Sequence, residues 1–338
     1  MRAIVNTGPG KLEWLDVPVP VPASGCVRVR TDAVGICATD LLMIAGWQRT
    51  GYPSIPGHEW SGTIDLVGEN VSGDLVGRKC VAENVLSDGG EVGFEHPGGY
   101  GQFLVTEADR IHVLPPDFPS PEAALIEPLA VCVRALRRLR PIGSGPVLIL
   151  GDGPIGLIIV MLLAQRGIAP IAVAGGRPPR LDLAASLGAV RTVNYHEADD
   201  DLLGFEPHSF DVVVEATGSA RAADSAIRLA AQGGRVLVLG DYGDGLAGFR
   251  WLDLLHNEVE AIGSNASAEA WPEAVDLARE GRLPLARLIT HRLPAHGFPD
   301  AMELTARRTT GAVKVVLDWA LADVDTQSAI GYTLAPSS

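Results

Sequence analysis

The chain has 338 residues, 47% hydrophobic and 20% charged, with 41 acidic against 27 basic side chains and a formal net charge of −14. That balance describes a globular protein with room for two domains and a large core, and it excludes a disordered chain. The acidic charge argues against nucleic acid or an anionic membrane as the main partner, and the most apolar run, 147–164, is split by Gly151, Asp152, Gly153 and Pro154, so no membrane span is expected.

Met1-Arg2-Ala3-Ile4-Val5-Asn6 opens a strand without the apolar core of a signal peptide. The four cysteines, at 26, 37, 80 and 132, form no C-x-x-C pair. The expectation is a cytoplasmic chain whose cysteines are free thiols or ligands rather than a disulfide framework. Up to about residue 114, short β-type runs at 26–30, 62–67, 79–82 and 102–106 alternate with Gly and Pro turn signals, the texture of a small all-β barrel. The proline-rich stretch 115–121 marks a boundary, and Ser120, Pro121 and Glu122 start a helix.

Strand-like runs at 147–150, 171–174, 190–194, 211–215, 235–239 and 258–263 follow. Helical segments such as 180–187 and 220–231 lie between them, which predicts a parallel, doubly wound sheet. After Leu283 the chain is expected to return to the first domain through runs at 289–293 and 313–317. The small, polar tail 320–338 reads as weakly ordered or as cover for a neighbouring surface.

The organising stretch is Val147-Leu148-Ile149-Leu150-Gly151-Asp152-Gly153-Pro154-Ile155-Gly156, followed by the apolar run 157–164. Strand, G-x-G-x-x-G and helix in that order form a dinucleotide-binding fingerprint. Gly151 permits the tight turn, Gly153 lets backbone approach a pyrophosphate, and Gly156 lets helix and strand pack closely. Phosphate would then meet the free N–H groups of the helix start from Ile155 onward, with Pro154, which has no N–H, opening the first turn.

An acidic residue about 20 positions beyond this motif would bind the ribose 2′-OH of NAD. Here the chain reads Gly175-Gly176-Arg177-Pro178-Pro179-Arg180, with no carboxylate to repel a 2′-phosphate. Arg177 and Arg180 can grip one through charge-assisted hydrogen bonds, so NADP is preferred and NAD is the alternative.

Three amino-terminal places could converge on a metal: Cys37 in Gly35-Ile36-Cys37-Ala38-Thr39-Asp40, His58 and Glu59 after Gly57, and Glu127 before Pro128. Singly each is weak, since a lone cysteine is usually a small buried hydrophobe. Together they are the ligand types of a catalytic zinc site with one open position.

The chain resembles the zinc-dependent medium-chain alcohol dehydrogenases, nearest in pattern to the polyol (sorbitol), threonine and cyclitol dehydrogenase branch. The resemblance rests on Gly-Ile-Cys-Ala-Thr-Asp at 35–40, Pro-Gly-His-Glu-Trp at 56–60, Gly-Gly-Tyr-Gly-Gln-Phe at 98–103 and Glu-Pro-Leu-Ala-Val at 127–131. Gly-Asp-Gly-Pro-Ile-Gly at 151–156, Leu-Gly-Ala at 187–189, Glu-Ala-Thr-Gly at 215–218 and Gly-Gly-Arg-Val at 233–236 continue it, over roughly residues 1–319.

That resemblance implies a GroES-like β-barrel catalytic domain, 1–138 and 284–338, and a Rossmann NAD(P)-binding domain, 139–283. It implies one catalytic zinc on Cys37, His58 and Glu127, with Glu59 beside the metal and able to exchange with its water. Dinucleotide contacts are implied at Thr217, Leu239 and Ser264 as well as along the glycine loop. Thr39 is implied as the first hydroxyl of a proton relay, although Leu42 stands where many relatives continue it with histidine. Asp40 is expected to orient backbone or a ligand, and Trp47 and Trp60 are candidate walls of the substrate pocket. Relatives carry four close cysteines for a structural zinc; here no cysteine follows Cys80 until Cys132, so one metal per chain is expected.

The implied reaction moves a hydride between a nicotinamide and a secondary alcohol, or its ketone, of a polyol, sugar or cyclitol, in a homodimer or homotetramer. Alternatives are an amino alcohol or specialised-metabolite substrate, or a nucleotide-binding homologue without catalysis. Glu91, Glu95 and His96 are read as solvated surface, and the role of Arg134 is open.

Overall fold

The structure, a computed structural model, describes residues 1–47, 49–139, 141–198, 200–243, 246, 248–307, 311–322 and 330–334. Two units emerge: Met1–Glu127 with Trp271–Gly281 and Leu285–Ser338, and Pro128–Ala270 with Arg282–Pro284.

The first unit opens on a hairpin, β1 (Arg2–Gly8) and β2 (Lys11–Asp16), in which Leu12 and Trp14 face inward while Lys11 and Glu13 face water. β3 (Cys26–Gly35), α1 (Ala38–Ala45), β4 (Glu59–Val67), β5 (Lys79–Ala82), β6 (Phe103–Glu107) and β7 (Ile111–Val113) follow, then the single turn α2 (Ser120–Ala123). β3 is the hub. It pairs antiparallel with β4 on one side and β6 along its first half. Inward residues of this sheet, among them Val27, Val29, Val34, Trp60, Ile64 and Leu104, form the core.

Helix α3 (Ile126–Arg138) leads into the second unit. There β8 (Val147–Leu150), α4 (Pro154–Gln165), β9 (Ile171–Gly175), α5 (Pro178–Leu187), β10 (Arg191–Asn194), β11 (Phe210–Glu215), α6 (Ala220–Leu229), β12 (Ala230–Val238), α7 (Trp251–His256) and β13 (Glu260–Gly263) alternate. All strand pairs are parallel and the order is β10-β9-β8-β11-β12-β13. Counting from β8, that is the 3-2-1-4-5-6 order of a doubly wound sheet, with its switch point between β8 and β11. The apolar runs noted in the sequence become fully buried strands, as a sheet covered on both faces requires.

The chain then forms α8 (Trp271–Arg279), β14 (Ile289–Pro294), α9 (Phe298–Ala306), β15 (Lys314–Asp318) and β16 (Gly331–Thr333). β15 pairs antiparallel with the end of β3, Val316 opposite Gly35.

Two boundaries fall elsewhere than expected. The unit boundary falls at Glu127/Pro128 rather than 138/139, because α3 beyond Pro128 bonds within the second unit, with Cys132 Sγ 3.7 Å from the Ile155 carbonyl oxygen. α8 belongs to the first unit rather than the second: the Trp271 ring stacks on His112 at 5.8 Å, and Arg279 donates to the Val113 carbonyl at 2.6 Å. In the tail, β16 adds a third strand to the hairpin beside β2, in line with the expected cover for a neighbouring surface; 323–329 and 335–338 lie outside the described residues. Among the described residues no helix is long and apolar enough to cross a membrane.

Candidate active site

The metal pocket lies in the first unit. β3 ends at Gly35, and Cys37 becomes the cap residue of α1. The Cys37 N–H donates to Asp40 Oδ2 at 2.8 Å, a capping arrangement that fixes the thiol at the helix start. Gly57, at φ +97°, turns the chain into β4; a Cβ there would lie 2.5 Å from the Tyr100 ring, so the turn needs glycine. The turn delivers His58 and Glu59, 6% and 1% exposed.

Ligand atoms of Cys37, His58 and Glu59 lie within 4.8 Å of one another. His58 Nδ1 stands 3.3 Å from Asp40 Oδ1, which leaves Nε2 as the nitrogen for a metal. Asp40, fully buried, thus serves both the cysteine and the histidine. The Thr39 hydroxyl contacts Cys37 Sγ at 3.6 Å.

Glu59 has a partner absent from the sequence reading. Lys314 Nζ, at the start of β15, lies 2.7 Å from both Glu59 oxygens and 3.3 Å from the Ile36 carbonyl oxygen. Glycine at 35 makes the room, since a Cβ there would be 2.3 Å from Glu59 Oε2. Glu127 lies outside the 4.8 Å group. Burial pushes its carboxyl up to about 7; the charges of His58 and Lys314 pull down, while Glu59 and Glu91 push up. Burial draws the His58 imidazolium down, but Asp40 and Cys37 outweigh it and hold the ring well above the ordinary histidine value.

The donor set tests the fit of a cation. Cys37, His58 and Glu59 offer a thiol, an imidazole and a carboxylate within 4.8 Å of one another, with Asp40 behind the histidine. These are the ligand types that suit zinc. The pocket fits the metal.

Trp47 meets Phe94 edge-on at 6.4 Å, and Phe94 lies 4.8 Å from the His58 ring, so one aromatic ring separates Trp47 from His58. Trp60 does not: at 2% exposure it packs inside the sheet core, with its indole N–H unpartnered. The segment read as solvated surface is partly exposed and carries surface ion pairs. Arg49 bonds Glu91 at 2.7 Å and Glu95 at 2.7 Å while stacking over Phe94 at 4.4 Å, and His96 pairs with Asp88 at 2.9 Å. Arg134 donates to the Asn265 carbonyl.

The dinucleotide half-site lies in the second unit. Gly151, at φ +124°, makes the turn after β8. A Cβ on Gly156 would be 2.1 Å from the Gly151 carbonyl oxygen, so only glycine lets α4 pack on the strand. Gly153 caps α4 with open space where a Cβ would be, and Pro154 and Ile155 begin the helix. Thr217, Leu239 and Ser264 follow directly on β11, β12 and β13, at the carboxyl ends of the strands where such sheets bind ligands. The Thr217 hydroxyl donates to the buried Glu215, and the Ser264 hydroxyl is buried without a partner.

The absence of a carboxylate at the end of β9 needs qualifying. Asp152, from the glycine loop, fills the space beside Gly175 and binds Arg177 through Nη2 at 2.5 Å and Nε at 3.1 Å. Arg180 is buried and bonds only the Asp152 carbonyl, at 3.5 Å, among the described residues.

A doubly wound sheet in one unit and a cysteine–histidine–carboxylate pocket in the other are the equipment of a metal-dependent dehydrogenase. Residues 154–280 match the zinc-binding dehydrogenase family, and residues 23–116 the alcohol dehydrogenase GroES-like domain. The chain is 31% identical over 316 residues to D-altritol 5-dehydrogenase of Agrobacterium fabrum, covering 87% of this chain and 93% of that one. It is 30% identical over 344 residues to L-threonine 3-dehydrogenase of Xanthomonas euvesicatoria pv. vesicatoria, covering 94% and 100%. The crystal structure of an alcohol dehydrogenase from Escherichia coli CFT073 complexed with NADH superposes with a TM-score of 0.86 at 25% identity, covering 94% and 99%. The chain belongs to the zinc-dependent medium-chain alcohol dehydrogenase family, in its polyol and threonine dehydrogenase branch, and it is an NAD(P)-dependent alcohol dehydrogenase.

Proposed function

We propose that this dehydrogenase interconverts a secondary alcohol and its ketone on a polyol, sugar or cyclitol, with NADP(H) preferred over NAD(H) and one zinc per chain. The observation that carries the reading is the meeting of Cys37, His58 and Glu59 within 4.8 Å, with His58 held by Asp40. Glu127 completes the ligand set, and Glu59 is its alternate. When bound, zinc supplies Lewis-acid polarisation of the substrate oxygen and the nicotinamide accepts the hydride. The chain supplies the rest. Asp40 fixes the histidine tautomer, Lys314 holds both Glu59 oxygens in place, and the Thr39 hydroxyl beside the thiol is placed to take the substrate proton. With Leu42 next along α1, 45% exposed and without a titratable group, the proton must leave through water or the cofactor ribose.

The altritol-, or threonine-, dehydrogenase names of the relatives bracket the substrate between polyhydroxylated carbon chains and amino alcohols. For the cofactor, Arg177 and Arg180 support a 2′-phosphate, while the NADH complex of the structural neighbour keeps NAD in play. β13 is the outer strand of its sheet, and Trp251, Leu252 and Leu255 nearby are 73%, 53% and 65% exposed, which supports a homodimer or homotetramer. A cytoplasmic location belongs to the same proposal.

The test is a screen of linear and cyclic polyols, their ketones and amino alcohols with NADP and NAD, before and after chelation, with zinc quantified per chain. Cys37→Ala without zinc and without turnover supports the reading. A protein free of zinc whose cofactor oxidation is unchanged by Cys37→Ala would instead be a nucleotide-binding homologue.

A further inference from the structure

We infer that Asp152 is a positioning residue for cofactor choice: it holds the Arg177 guanidinium by one edge and leaves the other edge for a ribose 2′-phosphate. This inference rests on the NADP reading given above.

Asp152 is 1% exposed and stands between Gly151 and Gly153. Its Oδ2 accepts the backbone N–H groups of Gly176 at 3.1 Å and Arg177 at 2.9 Å. Its Oδ1 accepts Arg177 Nη2 at 2.5 Å and Nε at 3.1 Å. Four donors use nearly all the acceptor capacity of a carboxylate, so Asp152 has little left for a ribose diol. An acid that discriminates for NAD must accept from that diol. This one faces the protein.

Arg177 remains a quarter exposed. Its Nε and one Nη2 hydrogen are spent on Asp152; Nη1 and the second Nη2 hydrogen remain for an outside acceptor, the geometry that suits a phosphate. Arg180 adds a second guanidinium on the first turn of α5. It is 8% exposed, with Nε unpartnered and no ion pair among the described residues. Burial and the charge of Arg177 pull it down to about 10, and the charge of Asp152 offsets them only in part. One carboxylate against two guanidinium groups leaves the cluster cationic, opposite in sign to a phosphate monoester of about −2. Gly175 is part of the device, because a Cβ there would lie 2.5 Å from that of Asp152.

The experiment measures the affinities of adenosine 2′,5′-bisphosphate and 5′-AMP by calorimetry on the full chain, for the native protein, Asp152→Ala, Asp152→Asn and Arg177→Met. KM values for NADP and NAD accompany them. The native protein should bind the bisphosphate at least about tenfold more tightly than AMP, and Asp152→Ala should erase about tenfold of that ratio, the worth of one well-oriented charged hydrogen bond. If Asp152→Ala fails to fold, Asp152→Asn keeps an acceptor for the backbone and serves in its place. In the Arg177→Met background the same change should move the ratio by less than about twofold, since coupled residues do not add. A native ratio near one or favouring AMP removes the NADP reading itself. A native preference that survives or grows in Asp152→Ala and Asp152→Asn, or that falls equally with and without Arg177, overturns the role of Asp152 alone.

Discussion

Lys314 Nζ sits 2.7 Å from each carboxylate oxygen of Glu59, across 255 residues of sequence, and both side chains are almost wholly buried. Removing one member of such a pair strands a buried charge. Lys314→Met should therefore cost about 3–5 kcal/mol in urea unfolding, and adding Glu59→Gln should restore much of it. A single variant as stable as the native chain would mean that water or another cation reaches Glu59.

Asp40 is the support through which α1 governs the histidine ligand. Asp40→Asn keeps the shape but weakens the anchor on His58 Nδ1, and zinc affinity measured against a chelator should drop by about 10–100-fold. Unchanged affinity would show that the imidazole is oriented by packing against Phe94 instead.

The hydroxyl beside Cys37 is testable separately from the metal. Thr39→Val should lower kcat by about a hundredfold with zinc content intact, and Thr39→Ser should recover most of the rate. Equal rates for Val and Thr would remove Thr39 from the proton path.

Acid stability should report the Arg49 cluster. Burial raises the Glu95 carboxyl, but Arg49 and the backbone N–H groups of Glu91 and Glu95 outweigh it, so its folded value lies below the ordinary glutamate range. A depressed carboxylate contributes stability above its unfolded pKa of about 4.3 and loses it as pH falls through the folded value. Melting temperatures recorded from about pH 6 to about pH 3 should decline more steeply for the native chain than for Glu95→Gln. Parallel curves would place the acid sensitivity elsewhere.

Placing an acid at the end of β9 is the obvious route to NAD, and here it should fail alone. In Gly175→Asp the new Cβ would approach that of Asp152 to 2.5 Å, so the variant should lose about 1–3 kcal/mol without a better KM for NAD. Gly175→Asp combined with Asp152→Gly clears the space and should improve that KM. Success of the single change would show that the glycine loop yields easily.

Much of this was readable in one dimension because the signals are local. The glycine loop, the six parallel strands and the candidate cysteine and histidine ligands each sit in a short stretch marked by glycine or by a continuous apolar run. Lys314 was not readable. It heads an apolar run like any strand-starting lysine, and only the pairing of β15 with β3 brings it to Glu59. Asp152 looked like a spacer between two glycines, and its grip on Arg177 depends on β9 lying beside β8. Trp60 misled for the opposite reason: a residue next to two functional ones in sequence can face the core. The unit boundary falls inside α3, which runs unbroken from Ile126 to Arg138, so no loop marks it in the sequence.

The late arrival of Lys314 bears on how the protein is made. Glu59 leaves the ribosome 255 residues before the ammonium that will neutralise it, an interval on the order of ten seconds or more during synthesis. Until then the carboxylate must stay hydrated, and the nascent barrel cannot close around it. Translation through β15 is thus the step that brings the ammonium to Glu59, and a ribosome stalled short of β15 would hold a chain with Cys37, His58 and Glu59 but without that partner.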